Sequence, residues 1–222
     1  MNRKPLLLGH RGCRSAGIAE NSAAAFEYAL SQGCDGFEFD VRHTRDGQNV
    51  LWHDPDWNGK RIASSNYSDL VDRDGSRLAV LDEVLAQFGQ RAYLDIELKV
   101  PGNEKSIVFA LHAGPPQHGF IVSSFLPDIL LYLRELDSNL PLGFICDRQD
   151  ALNVWRELPV EVILPRKDFV RPTLIDEVHQ RGRRIMTWTV NSSRQMRQLA
   201  AWGIDGLISD DPQLLCQTFH TA

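Results

Sequence analysis

Two strand-like segments carry carboxylates in alternation. In Glu38-Phe39-Asp40, an extended backbone puts Glu38 and Asp40 on one face and Phe39 on the other. In Asp95-Ile96-Glu97-Leu98-Lys99, the charged residues share one face, and Ile96 and Leu98 share the opposite face. Carboxylates a pleat apart repel each other unless a cation stands between them, and hard oxygen ligands suit Mg²⁺ or Ca²⁺. Glu38, Asp40 and Glu97 are therefore candidate ligands of one divalent ion. The plainer reading of the first pair is a solvated face or a salt bridge to Arg42. For the second segment it is an ion-pair ladder, with Lys99 against Asp95.

His10 and His53 are the acid–base candidates. Phosphodiester cleavage needs a nucleophile deprotonated and a leaving oxygen protonated, and imidazole does both near neutral pH. His43, His112, His118, His179 and His220 fall on loops or helices and carry no such expectation. Arg11 can fork onto a phosphate, or pair with Glu20 or Asp40. Lys99 can hold a phosphate oxygen. Glu20 can support Arg11 or approach the metal, and Asn21 (or Ser22) reads as a helix N-cap. Trp188 can wall a pocket against the organic part of a substrate, or simply pack.

These residues need elements that bring them together. Nine strand-like runs occur: Leu6–Leu8, Gly36–Val41, Asn49–Trp52, Tyr93–Leu98, Phe120–Ser123, Leu142–Ile145, Glu161–Leu164, Arg184–Val190 and Asp205–Ile208. Helix-length segments lie between most of them: Asn21–Gln32, Leu81–Phe88, Glu104–His112, Asp128–Leu136, Ala151–Glu157, Pro172–Gln180, Ser192–Trp202 and Pro212–Phe219. Such alternation predicts parallel α/β architecture. Only Thr44–Gln48 separates the second run from the third. A parallel crossover needs about a dozen residues or more, so this pair is a hairpin turning on Asp46-Gly47. Eight parallel strands with one antiparallel extra near residues 49–53 make a (β/α)₈ TIM barrel. A doubly wound sheet is the alternative, but no Gly-rich loop follows the first strand. In such a barrel chemistry sits at the C-terminal strand ends, where His10-Arg11, Glu38, Asp40, His53-Asp54, Asp95, Glu97, Lys99, Trp188 and Asn191 fall.

The 222 residues fit one domain, and the net charge of -5 supplies no footprint for nucleic acid or an anionic membrane. An anionic substrate would therefore need local positive charge or a cation. Cys13, Cys34, Cys146 and Cys216 form no CxxC clip, so free thiols in a reducing compartment are expected, with a disulfide as the alternative. The apolar run after Met1-Asn2-Arg3-Lys4-Pro5 stops at Gly9, short of the ~7–15 residues a signal sequence needs. No run reaches the ~18 apolar residues of a membrane span. The expectation is a soluble cytoplasmic protein without stable membrane insertion.

The ordered set Gly9-His10-Arg11-Gly12, Glu20-Asn21-Ser22, Glu38-Phe39-Asp40-Val41, Asp46-Gly47, His53-Asp54-Pro55, Ile96-Glu97-Leu98-Lys99, Ser124-Phe125, Trp188-Thr189-Val190-Asn191 and Asp205–Pro212 resembles the glycerophosphodiester phosphodiesterases over nearly the whole chain. The resemblance implies a (β/α)₈ barrel that hydrolyses small glycerophosphodiesters to sn-glycerol 3-phosphate and an alcohol. In it His10 and His53 would be the general acid–base pair. Glu38, Asp40 and Glu97 would hold Mg²⁺ or Ca²⁺, and Arg11 and Lys99 would contact phosphate. The glycerol hydroxyl would attack first, giving a cyclic phosphate that water opens. The chain departs from the pattern at Ala19, at Asp56–Arg61 and at Ala79-Val80-Leu81, which bear on the alcohol side of the pocket. Lysophospholipase D-like or phospholipase-like cleavage on the same site, and a non-catalytic ligand-binding barrel, are the competing readings.

Overall fold

A computed structural model of the chain describes residues 4–220. The basic start of the leading segment, Met1–Arg3, lies outside the described residues. The strands are β1 (Leu6–Gly9), β2 (Gly36–His43), β3 (Asn49–Leu51), β4 (Asp56–Trp57), β5 (Lys60–Arg61), β6 (Tyr93–Leu98), β7 (Phe120–Ser124), β8 (Leu142–Cys146), β9 (Val162–Pro165), β10 (Arg184–Thr187) and β11 (Gly206–Ser209). Eight of them run parallel in the ring β1-β2-β6-β7-β8-β9-β10-β11, and β11 returns to pair with β1. This is the (β/α)₈ barrel expected from the alternation. β3 is the antiparallel extra, bonded to β2 outside the ring through Val41↔Leu51, Arg42↔Val50 and His43↔Asn49. Gly47, at φ 83°, supplies the left-handed residue its turn needs.

The helices are α1 (Ala23–Ser31), α2 (Leu81–Phe88), α3 (Glu104–Ala113), α4 (Pro127–Leu136), α5 (Pro172–Gln180), α6 (Ser193–Ala201) and α7 (Pro212–His220). Proline at the first turn opens α4 and α5, where a missing N–H removes no helical bond. Between strands and helices lies the main apolar layer, including Phe26, Phe37, Phe39 and Phe88, with Phe26 stacked on Phe37 at 4.1 Å. A smaller cluster fills the barrel itself: Leu8, Tyr93, Ile121, Ile145, Val162, Leu164, Met186 and Ile208. Gly206 leaves the room that Met186 occupies: a Cβ there would stand 2.7 Å from its Cγ. A third cluster, Val50, Trp57, Ile62, Leu70, Leu78 and Val80, packs beneath the insertion that carries β3.

Two expectations are corrected, one alternative is decided and one element was missed. The segment Ala151–Glu157 is a 3₁₀ helix over Ala151–Arg156, because Pro159 cuts the run short and disfavours helical backbone just before it. Strand ten ends at Thr187 rather than Val190; Trp188 then meets β9's extension only in an isolated bridge to Arg166. The cap of α1 is Ser22, whose Oγ accepts from the Ala25 N–H at 3.2 Å, and Asn21 is not part of the helix. A short ribbon, β4–β5, also went unread, although Asn58-Gly59, both at positive φ, is a hairpin signal.

All four cysteines are buried free thiols, with the sulfurs of Cys34 and Cys216 3.5 Å apart. Among the described residues, no helix is long and apolar enough to cross a membrane.

Candidate active site

β2 and β6 lie side by side with Glu38 level with Asp95 and Asp40 level with Glu97. Strand alternation turns all four carboxyl groups inward, and each is buried. One oxygen from each of Glu38, Asp40 and Glu97 falls within 4.8 Å of the others. Arg11 and Lys99 are the two cations among them. Arg11 Nε stands 3.1 Å from Asp40 Oδ2, and Lys99 Nζ stands 3.3 Å from Asp40 Oδ1 and 2.5 Å from Glu97 Oε1. Lys99 does not pair with Asp95, whose Oδ1 accepts from the Ser123 hydroxyl at 2.6 Å.

Burial first, and then the excess of four carboxyl groups over two cations, sets the titration behaviour. Burial, then repulsion from Asp40, Glu97 and Asp95, pushes Glu38 well above the usual carboxylate range. Burial is also the main force that raises Asp95 and Glu97 to about 7. Asp40 is lowered: burial opposes ionisation, but Lys99 and Arg11 outweigh it. Glu38 Oε1, Asp40 Oδ1 and Glu97 Oε1 are buried without a well-directed hydrogen bond. Three buried carboxylates that bring one oxygen each within 4.8 Å of the others fit a hard divalent cation.

The residues around the carboxylates are held from several directions. The Arg11 N–H, in a turn at φ 51°, donates to Glu38 Oε2 at 2.9 Å. Glu20 accepts from Arg11 NH1 at 2.7 Å, so it supports Arg11 rather than reaching the triad. Asn21, buried and at φ 55°, clamps Asp40 twice: Oδ1 accepts from the Asp40 N–H at 3.1 Å, and Nδ2 donates to Asp40 Oδ2 at 2.8 Å. β1 pairs with β2 only as far as Phe37 and β3 begins pairing at Val41, so Asn21 fills the gap in the ladder. Arg42 forms no salt bridge to the triad; its Nε and NH2 donate to the His53 carbonyl at 2.9 and 2.6 Å.

The two histidines are each backed by an aspartate. His10 Nδ1 lies 2.6 Å from Asp210 Oδ1, and His10 Nε2 lies 3.8 Å from Glu38 Oε2. Asn191 Nδ2 donates to the other Asp210 oxygen at 2.6 Å. The bonds from His10 and Asn191, with Arg14 nearby, hold Asp210 down at about 2 against the opposing effect of burial. His53 Nδ1 lies 2.7 Å from Asp54 Oδ1; burial lowers the imidazole despite that partner. With Nδ1–H given to a carboxylate, each ring keeps Nε2 for other chemistry. Asp210 and Asn191 reach the site only because β11 and β10 close the ring beside β1.

A cavity of about 240 Å³ joins these groups. His10, Arg11, Glu38, His53, Asp95, Glu97 and Lys99 line one side; the other is walled largely by apolar residues, Trp188 and Phe125 among them. The Trp188 indole N–H donates to the Leu164 carbonyl at 2.9 Å, which fixes the ring at the mouth. Every residue assigned chemistry from the sequence therefore borders this cavity except Asp40, buried beneath it, and Glu20, behind Arg11.

A closed barrel with acidic, imidazole and cationic side chains gathered at one mouth has the architecture of a (β/α)₈ enzyme. The chain belongs to the Glycerophosphoryl diester phosphodiesterase family, whose profile matches residues 10–214. It is 27% identical over 235 positions to the glycerophosphodiester phosphodiesterase of Caldanaerobacter subterraneus subsp. tengcongensis, covering 96% of each chain. Among solved structures, glycerophosphodiester phosphodiesterase from Thermotoga maritima superposes with a TM-score of 0.83 at 24% identity, over 98% of this chain and 99% of that one. A phosphodiesterase of Oleispira antarctica, solved with the product sn-glycerol-3-phosphate, gives 0.85 at 21% identity, over 98% of each.

Proposed function

We propose that the chain hydrolyses glycerophosphodiesters to sn-glycerol 3-phosphate and an alcohol, with a divalent cation, Mg²⁺ or Ca²⁺, held by Glu38, Asp40 and Glu97. The observation that carries this reading is the convergence of those three carboxylates in one cavity with His10 and His53. Family membership and the product found in the Oleispira antarctica phosphodiesterase support the substrate class. Bound at the triad, the cation supplies Lewis-acid stabilisation of charge on phosphoryl oxygen.

The protein's own groups do the rest. Arg11 and Lys99 orient the phosphate by charge-assisted hydrogen bonds. One imidazole takes the proton from the glycerol 2-hydroxyl as that oxygen bonds to phosphorus; the bond from phosphorus to the alcohol oxygen breaks, and the other imidazole protonates the departing alcohol. Water then opens the cyclic phosphate with the imidazole roles reversed. Asp210 and Asp54 fix the tautomers that leave both Nε2 atoms available. Glu20 and Asn21 act indirectly, holding Arg11 and Asp40.

The test is release of sn-glycerol 3-phosphate from a panel of glycerophosphodiesters and one lysolipid, across Mg²⁺, Ca²⁺ and excess EDTA. Turnover of the small diesters that is abolished by EDTA and by His10→Ala or His53→Ala is expected. Full activity in chelator, or unchanged activity in both histidine variants, would overturn the reading.

A further inference from the structure

At the end of the barrel away from the catalytic mouth, two reactive groups meet that the reaction does not touch. Cys34 lies in the turn between α1 and β2, where the strands begin. The catalytic groups sit at the other end, where the strands finish. Cys216 lies in α7. The two sulfurs stand 3.5 Å apart, although 182 positions separate them in the chain. Both side chains are buried, Cys34 at 7% exposure and Cys216 at 2%.

Each thiol is carried by an anchored element. Gly33, at φ 97°, turns the chain out of α1, and the Cys34 N–H donates to the Ala29 carbonyl at 3.2 Å. Asp35 is tied to β1 twice: its N–H donates to the Leu7 carbonyl at 2.9 Å, and its Oδ2 accepts from the Leu7 N–H at 2.8 Å. α7 packs against α1 and β1, with Leu215 fully buried beside Cys216. The other cysteines are placed differently. Cys13 has the Ser15 hydroxyl at 3.7 Å, and Cys146 ends β8. From 3.5 Å, the sulfurs of Cys34 and Cys216 need to close by only about 1.5 Å to bond, a shift that side-chain rotation and a small displacement of α7 supply.

We infer that Cys34 and Cys216 form an oxidation site, which a peroxide converts to a disulfide fastening α7 to the approach to β2. One thiolate attacks a peroxide oxygen: the S–O bond forms, the O–O bond breaks, and the departing oxygen leaves as water. The second sulfur then attacks the first: the S–S bond forms, the S–O bond breaks, and a second water leaves. The thiols give up two protons and two electrons in all, and the peroxide takes them. The new bond closes most of the chain into one covalent loop, which restricts the unfolded state far more than the folded one. While reduced, the same thiols pack as small apolar groups. The site stands apart from the catalytic mouth, so the inference does not depend on the phosphodiesterase reading.

The experiment exposes the folded full chain to hydrogen peroxide and then to dithiothreitol. It uses wild type, Cys34→Ala, Cys216→Ala and a variant carrying both Cys13→Ala and Cys146→Ala. Oxidised wild type is expected to yield a pair of peptides joined through Cys34 and Cys216 and lighter by two hydrogens. It should melt about 5–15 °C above the reduced form, and dithiothreitol should reverse both changes. The Cys13 and Cys146 variant should respond like wild type, and neither single variant should gain thermal stability from peroxide. Where an alanine variant fails to fold, the wild-type peptide map and melting shift decide. Folded wild type that keeps these thiols, oxidises them to sulfinic or sulfonic acids without a cross-link, or joins a different pair overturns the site. So does a Cys34–Cys216 cross-link that leaves the melting temperature unmoved.

Discussion

The barrel's interior has two unlike halves. Around β2 and β6 it holds Glu38, Asp40, Asp95 and Glu97, buried and mutually repelling. Around β8 to β11 it holds Ile145, Val162, Leu164, Met186 and Ile208, packed with nothing to hydrate. Both halves use the same pleat and the same inward rows. The difference is that buried ions are costly to fold around, whereas buried aliphatics drive folding. One half lowers stability to hold chemistry; the other supplies the rigidity against which that chemistry is aimed.

This contrast can be broken most directly at the triad. Glu38→Gln should lower kcat about 10³-fold, the scale expected for loss of transition-state charge stabilisation, while leaving the metal-free thermal midpoint unchanged or raised. A fall of several degrees in chelator would mean that the acidic half is itself a source of stability. Met186→Ala tests the opposite half. It should cost about 2–5 kcal/mol of unfolding free energy in urea, with little change in turnover by the folded fraction.

Asp210 joins the two halves, since it leaves β11 and reaches His10. Asp210→Asn should reduce kcat on the order of 10²-fold by releasing the imidazole from its tautomer. Its folded-state value of about 2 lies below the unfolded value of 3.8. The stability it contributes, about 2 kcal/mol, is therefore present above pH ~4 and lost as pH falls toward 2. Urea midpoints taken between pH 4 and 2 should fall less steeply in Asp210→Asn than in wild type. The smallest effect belongs outside the barrel. Glu27 and Arg91 form an ion pair with both side chains nearly half exposed, and a double-mutant cycle should return about 0.5 kcal/mol or less. A larger coupling would erase the distinction between ions placed for chemistry and ions placed on the surface.

The acidic half was readable from the sequence, because alternation alone puts Glu38 with Asp40 and Asp95 with Glu97. Asp46-Gly47 likewise made the hairpin, and so the placement of His53, a local inference. The supporting residues were not readable in the same way. Asn21 looks like a helix cap, and its clamp on Asp40 depends on where β1 stops pairing with β2. Asp210 and Asn191 occur in the motifs, but their attachment to His10 depends on which strand neighbours β1, a fact of ring closure rather than of local pattern. The 3₁₀ turn at Ala151–Arg156 was hidden for a different reason: its composition suits either helix, and Pro159 decides by limiting the length.

The contact between His10 and Asp210 spans 200 positions of the chain. All the proposed ligands and both imidazoles lie before residue 98, so a nascent polypeptide less than half synthesised already carries them. Yet the imidazole of His10 acquires its aspartate only when the final strand emerges and docks beside the first. The imidazole that the catalytic reading relies on is therefore fully supported only in the closed ring, so the last strand completes a site whose other parts were made first.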